Sequence, residues 1–173
     1  MAIGDGANAN GIRSTAIGRN ASSNGINSTA LGQGSSASGV NASALGVRPT
    51  ASGTQSLAIG TDTEALDVQA VGLGYSALAS GRQSLAAGSF ASATRNSSTA
   101  IGRNSSAGHS ESAAFGFGAT TSLANQMVFG TSSTTYVMPG ITSATSLARQ
   151  GVVDGFVTTD ASGNLASDGG ALT

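Results

Sequence analysis

The sequence predicts an all-β fold, a parallel β-solenoid or β-roll wound in coils of 14 residues. Three observations carry this. Glycine stands at Gly4, Gly18, Gly32, Gly46, Gly60, Gly74, Gly88, Gly102, Gly116 and Gly130, a step of 14 with no insertion, although glycine makes up only 26 of 173 residues. The residue before it is bulky and apolar at every step but one: Ile3, Ile17, Leu31, Leu45, Ile59, Leu73, Ala87, Ile101, Phe115 and Phe129. A weaker glycine column follows seven residues later at Gly11, Gly25, Gly39, Gly53 and Gly81, with alanine or serine two residues ahead of it. The unit is two similar halves, and fixed internal periodicity of this kind marks a quasi-one-dimensional repeat fold.

Fourteen residues also make two heptads, but a coiled coil does not fit. A helix would carry a glycine at every second heptad, each costing about 1 kcal/mol relative to alanine. Charged residues are only 9% of the chain and lysine is absent, so the charged flanks of a heptad seam are missing. Each half instead reads as a short strand ended by a glycine turn, since glycine permits the positive-φ corner that a tight coil needs. Stacked coils set parallel strands about 4.8 Å apart, so the repeats would form a rod of roughly 45–50 Å. Gly18, Gly32, Gly46, Gly60, Gly74, Gly88, Gly102, Gly116 and Gly130 are its turn glycines.

Alternation along a strand assigns the faces. The pre-glycine column shares a face with the residue two before it (Thr15, Leu57, Val71, Leu85, Met127), and the alanine between them faces the other way. A coil this narrow accepts only small side chains inside, so Ile17, Leu31, Leu45, Ile59, Leu73, Ile101, Phe115 and Phe129 form an apolar stripe on the outside. Such a stripe exceeds what a soluble monomer normally exposes. At about 1.5–3 kcal/mol per buried side chain, it predicts an obligate homo-oligomer with parallel axes and the stripe as its core. The alternative is that the stripe fills the coil and the alanines face out.

Coils run from the N-terminus to about residue 140. Met1 lies in mid-motif, because Ala2-Ile3-Gly4 already belongs to a coil, so the sequence reads as part of a longer chain. Beyond Asp67 the second glycine column becomes variable. Gln126-Met127-Val128-Phe129-Gly130 keeps the motif, Thr134–Met138 reads as a more apolar strand, and Pro139-Gly140 is a stop signal. Together they predict a cap over the last open edge. The domain expectation is therefore a β-roll over 1–140 and a connector over 141–173. The connector holds a short helix over 141–150 and a hairpin over 155–165, with its turn at Asp160–Asn164.

Composition excludes several classes. Without cysteine there are no disulfides or thiolate metal sites. A net charge of −1, with arginines and acids interspersed, gives no footprint for nucleic acid or an anionic membrane. There is no signal peptide and no apolar run long enough to span a membrane.

Ser14-Thr15-Ala16-Ile17-Gly18, Ser28-Thr29-Ala30-Leu31-Gly32 and Ser56-Leu57-Ala58-Ile59-Gly60 resemble the head repeats of trimeric autotransporter adhesins, the YadA-like family. Asn125–Gly130 through Tyr136–Gly140 is similar to the terminal head coil of that family, and Val157–Leu165 to the connector that follows it. The resemblance covers about 140 of the 173 residues. It implies a left-handed roll, trimeric about a shared axis, presented at the cell surface and anchored in a Gram-negative outer membrane by a C-terminal barrel outside this sequence. It also implies attachment to a host extracellular-matrix protein or cell-surface receptor, without catalysis, cofactor or direct membrane contact in this segment.

The chemistry-bearing residues are few. His109, the only histidine, occupies a second-column corner and reads as exposed. A left-handed-helix acyltransferase would also be a trimeric solenoid with a histidine, but its period is six residues. Asp62, Glu64 and Asp67 fall in one coil and read as solvated acids rather than a calcium site, because the calcium-binding nonapeptide is absent. The N-x-S/T triplets at Asn20, Asn27, Asn41, Asn96 and Asn104 read as compositional. Among the variable residues that follow the repeat glycine, Arg19, Tyr75 and Arg103 are the expected ligand contacts, since arginine and tyrosine make good interface anchors. An ice-binding or other non-adhesive structural solenoid is the alternative; ice binding needs a regular outward array of threonine or alanine, whereas these outward columns mix Asp, Arg, Gln and Tyr.

Overall fold

The structure, a computed structural model, describes residues 1–137, 157–159 and 165–167. The chain divides into two compact units, Met1–Thr134 and Thr135–Thr173.

The first unit is a parallel β-solenoid, and its described residues contain no helix. Most coils contribute one three-residue and one two-residue strand. The former, with Ala2–Ile3 at their head, stack into a ten-stranded parallel sheet ending at Met127–Phe129; the latter form a seven-stranded parallel sheet from Ser22–Ser23 to Ser106–Ala107. Ala16 lies opposite Ala30, Ile17 opposite Leu31 and Ser36 opposite Thr50, so every step of the register is one repeat. Each strand is too short to stand alone, and the ladders between coils carry it. The Gly32 amide donates to the Ile17 carbonyl and the Asn27 amide to the Ile12 carbonyl, both at 2.8 Å.

The core is a column of small side chains. One coil turns Ser28, Ala30, Ser35 and Ala37 inward, all fully buried. In this coil the serine hydroxyls are satisfied locally: Ser28 Oγ donates to the Gly25 carbonyl at 2.6 Å and Ser35 Oγ to the Gly32 carbonyl at 2.9 Å, whereas Ser14, Ser56 and Ser84 Oγ are buried without a partner. The fully buried side chains are all small, Thr63 and Pro49 being the largest. The bulky column therefore lies outside: Leu31 keeps 42% of its surface exposed and Ile59 40%. The alternative arrangement, with the stripe filling the coil, does not occur.

The repeat glycines take the positive φ expected of a corner, 111–137° from Gly4 to Gly116, and each of their corners adds a second positive-φ residue that the glycine columns did not announce. Left-handed backbone recurs every seven residues at the third position of each corner, mostly on polar residues such as Asn20, Asn27, Asn41, Gln55 and Gln69, with φ of 56–60°. Asparagine tolerates this region better than most residues. The repeat glycine sits two residues earlier with a different requirement. Gly18 has φ 131°, and a Cβ there would stand 2.5 Å from the Gly32 carbonyl oxygen of the next coil. Both the dihedral and the close approach exclude a side chain. In the second column φ is ordinary, and glycine is needed only for the approach: a Cβ on Gly25 would run into the Gly39 carbonyl. Where that column lapses, side chains enter the corner, and at Arg95 one takes over the amide that in Gly81 reaches the Ala93 carbonyl of the next coil. The Val68 amide donates to Asp67 Oδ1 at 2.6 Å, and the Arg95 amide donates to Ser98 Oγ at 3.3 Å.

The last coil also departs from expectation. Thr134–Val137 is irregular rather than a strand. No later coil supplies a ladder for it among the described residues, and Thr134 is instead tied into a turn, its amide donating to the Thr131 carbonyl at 2.9 Å. Met138, Pro139-Gly140, the expected helix over 141–150 and the turn at Asp160–Asn164 lie outside the described residues. In the second unit Val157–Thr159 pairs antiparallel with Leu165–Ser167, Thr159 opposite Leu165.

Candidate interaction surfaces

Three features of the solenoid face outward in register, and each follows from the repeat. The first is the apolar stripe on the ten-stranded sheet. Threonine accompanies isoleucine or leucine in Thr15/Ile17 and Thr29/Leu31, and Leu85 accompanies the smaller Ala87, so bulk lost in one column is regained in the other. At the C-terminal end Phe115 stacks on Phe129, ring centroids 5.1 Å apart and planes 15° from parallel.

The second feature is the edge formed by corners that follow the three-residue strands. Two adjacent positions in each corner make this edge, and from Arg48 to Phe117 they form a ridge. Arg48 grips Asp62 of the next coil with two hydrogen bonds, Nε to Oδ1 and Nη2 to Oδ2, both 2.7 Å. That hydrogen bonding holds the Asp62 carboxyl below its usual range and raises the Arg48 guanidinium. Farther along, Tyr75 meets Phe90 edge to face at 5.2 Å, and the Arg103 guanidinium lies 4.6 Å over the Phe117 ring. These rings stay half-exposed: Tyr75 50%, Phe90 52%, Phe117 61%.

The third feature is the opposite edge, formed by corners that follow the two-residue strands. It carries an amide ladder. Asn27 Nδ2 donates to Asn41 Oδ1 at 3.1 Å, Gln69 Nε2 to Gln55 Oε1 at 3.3 Å and Gln83 Nε2 to Gln69 Oε1 at 3.2 Å. Arg82, Arg95 and Glu111 are exposed on the same edge.

Of the residues singled out in the sequence, Tyr75 and Arg103 lie on the ridge and are engaged by Phe90 and Phe117. Arg19 is exposed in an earlier coil of the same edge. Phe90 escapes a reading by columns because it stands one position later in its corner than Tyr75. The acids of one coil are not brought together: Asp62 is taken by Arg48 and Asp67 by its neighbour's amide, and among the described residues no three potential ligands cluster as a metal needs. His109 is only half-exposed; its Nδ1 is 3.4 Å from Thr121 Oγ1, which is in turn 3.1 Å from Ser112 Oγ.

The model of the YadA head domain repeat matches residues 1–21, 23–48, 51–77, 68–91 and 79–105, together more than half of the chain. Among solved structures, the collagen-binding domain of the Yersinia adhesin YadA is similar, at 24% identity and a TM-score of 0.51, over 77% of this chain and 74% of that one. That likeness is one of fold. No curated protein matches the chain.

Proposed function

The chain belongs to the YadA head-domain repeat family, and on that premise we propose that it is the head of a bacterial surface adhesin: a stiff homotrimeric rod that attaches the cell to extracellular matrix or host-cell receptors. The carrying observation is the uncovered stripe. Leu31, Ile59 and Phe129 stay exposed in the single chain along one straight face, and copies of that face around a shared axis bury it most economically. In this reading residues 1–140 are the head, 141–173 lead toward a stalk, and an outer-membrane anchor lies outside this sequence.

Matrix is favoured as partner because the similar Yersinia domain binds collagen, and because repetition itself suits a fibrous target. Contacts equally spaced along the rod and multiplied by three chains gain avidity without any one being strong. Arg19 is the proposed ligand contact, exposed, without a side-chain partner among the described residues, and in an earlier coil than the stretch from Tyr75 to Phe117. The ice-binding alternative is not favoured. The outward face of the seven-stranded sheet reads Ser22, Ser36, Thr50, Glu64, Leu78, Ser92, Ser106, and a leucine and a glutamate interrupt any regular hydroxyl array.

Sedimentation equilibrium with far-UV circular dichroism tests the assembly, and solid-phase binding to fibrillar matrix proteins then tests the activity. A β-rich species of three times 16.6 kDa that binds matrix supports the proposal. A folded monomer overturns the rod; a trimer indifferent to every matrix protein overturns the partner class.

A further inference from the structure

We propose that the two edges flanking the stripe are the two halves of one protomer contact: Tyr75, Phe90 and Arg103 of one chain pack against Arg82, Arg95 and Glu111 of the next. The proposal rests on the trimeric reading and specifies how that trimer is keyed.

Chains related by rotation about an axis meet heterologously, one surface of each against a different surface of its neighbour. If the stripe faces the axis, its two flanking edges fall at the seams, unlike edge against unlike edge. Chains with parallel axes and no stagger keep each residue at one height. Corners alternate between the edges every seven residues, half a coil, so successive corners rise by roughly 2.4 Å, half the strand spacing. Sequence order is then height order along each seam. Read upward, the groups are Tyr75, Arg82, Phe90, Arg95, Arg103, Glu111 and Phe117, drawn strictly in turn from the first edge and the second.

The chemistry of that order is complementary. Arg82 falls between Tyr75 and Phe90, where a guanidinium can lie over a ring face. Glu111 falls beside Arg103, the partner that a carboxylate binds best. The distribution is also one-sided. Within Met1–Thr134 every tyrosine and phenylalanine outside the stripe (Tyr75, Phe90, Phe117) is on the first edge. Within the single chain neither side is complete: the rings are half-exposed, and Arg82, Arg95 and Glu111 have no side-chain partner among the described residues. The match is confined to this stretch; earlier coils place Ile12, Ile26 and Val40 on the second edge.

The chain has no cysteine, so a pair can be introduced without background. The full chain carrying Arg103→Cys and Glu111→Cys, treated with a short bis-maleimide, should run on a denaturing gel as covalent dimer and trimer, whereas either single variant should not. Charge reversal gives a second readout. Glu111→Arg and Arg103→Glu should each weaken trimer association about tenfold or more, and the double reversal should restore it. If the wild type is trimeric but the cysteine pair gives no interchain product and the reversals leave association unchanged, the keying is overturned while the trimer stands, and the ridge is free for an external ligand. A monomeric wild type overturns both.

Discussion

Thr63 fills the space that Gly72 leaves open across the coil. Thr63 heads the fully buried side chains by volume, and a Cβ on Gly72 would stand 2.8 Å from its Cγ2 and 2.9 Å from the Glu64 carbonyl oxygen. Other coils place alanine in the Gly72 column, apart from Val128 in the last, and mostly alanine or serine in the Thr63 column. The interior thus holds its volume by exchange between facing columns, as a close-packed core requires. Gly72→Ala is expected to cost about 1–3 kcal/mol through overpacking. Adding Thr63→Ser, which removes the methyl and keeps the hydroxyl, should recover part of that loss. Urea unfolding of the two singles and the double closes the cycle; strict additivity would mean that the residues do not compete for space.

Glycines should divide sharply by position. Gly102 has φ 130°, and a Cβ there would lie 2.5 Å from the Gly116 carbonyl oxygen, whereas nothing stands within 4 Å of one on Gly108. Gly102→Ala is expected to destabilise by at least ~2 kcal/mol, combining strain with a backbone clash. Gly108→Ala should be neutral or stabilising by up to about 1 kcal/mol, because it restricts the unfolded chain. Thermal melts of both variants settle the contrast, and equal melting points would contradict it.

The stripe should tolerate no charge. Ile59→Asp or Leu45→Asp places a carboxylate where the proposed assembly is driest, at a cost far above that of an exposed substitution. Loss of trimer mass in sedimentation, with or without unfolding, is the expected outcome. A variant as large and as stable as the parent would show that the seam lies on another face.

Acid should release the Arg48–Asp62 pair. The hydrogen-bonded Asp62 carboxyl titrates below its ordinary value, so its contribution is full above the unfolded-state pKa, about 4, and is lost as pH falls through the lower folded value. Asp62→Asn should flatten only the limb of the melting-temperature profile below about pH 4, leaving pH 5–8 unchanged in shape. Both groups face solvent, so the effect should shrink as salt is raised. A difference confined to neutral pH would contradict the assignment.

Much of this protein is set by its sequence alone. The glycine period fixes the coil length, the alternation of alanine with isoleucine or leucine fixes which residues share a face, and the smallness of the alanine and serine columns fixes what fits inside. These are one-dimensional constraints: in a solenoid each residue meets its own copy one repeat away, as Ala16 meets Ala30 and Ile17 meets Leu31. The tertiary structure decided what depends on three-dimensional closeness across columns. It added to each repeat-glycine corner a second, left-handed residue, such as Asn20 two positions after Gly18, while Gly18 combines its positive φ with the close approach of the next coil's carbonyl. It gave Thr134–Val137 no ladder among the described residues and tied Thr134 into a turn with Thr131 instead. And it joined Tyr75 to Phe90 and Arg103 to Phe117. The Tyr75–Phe90 pair lies one position off the repeat, so only the path of the backbone around a corner brings its side chains to the same edge.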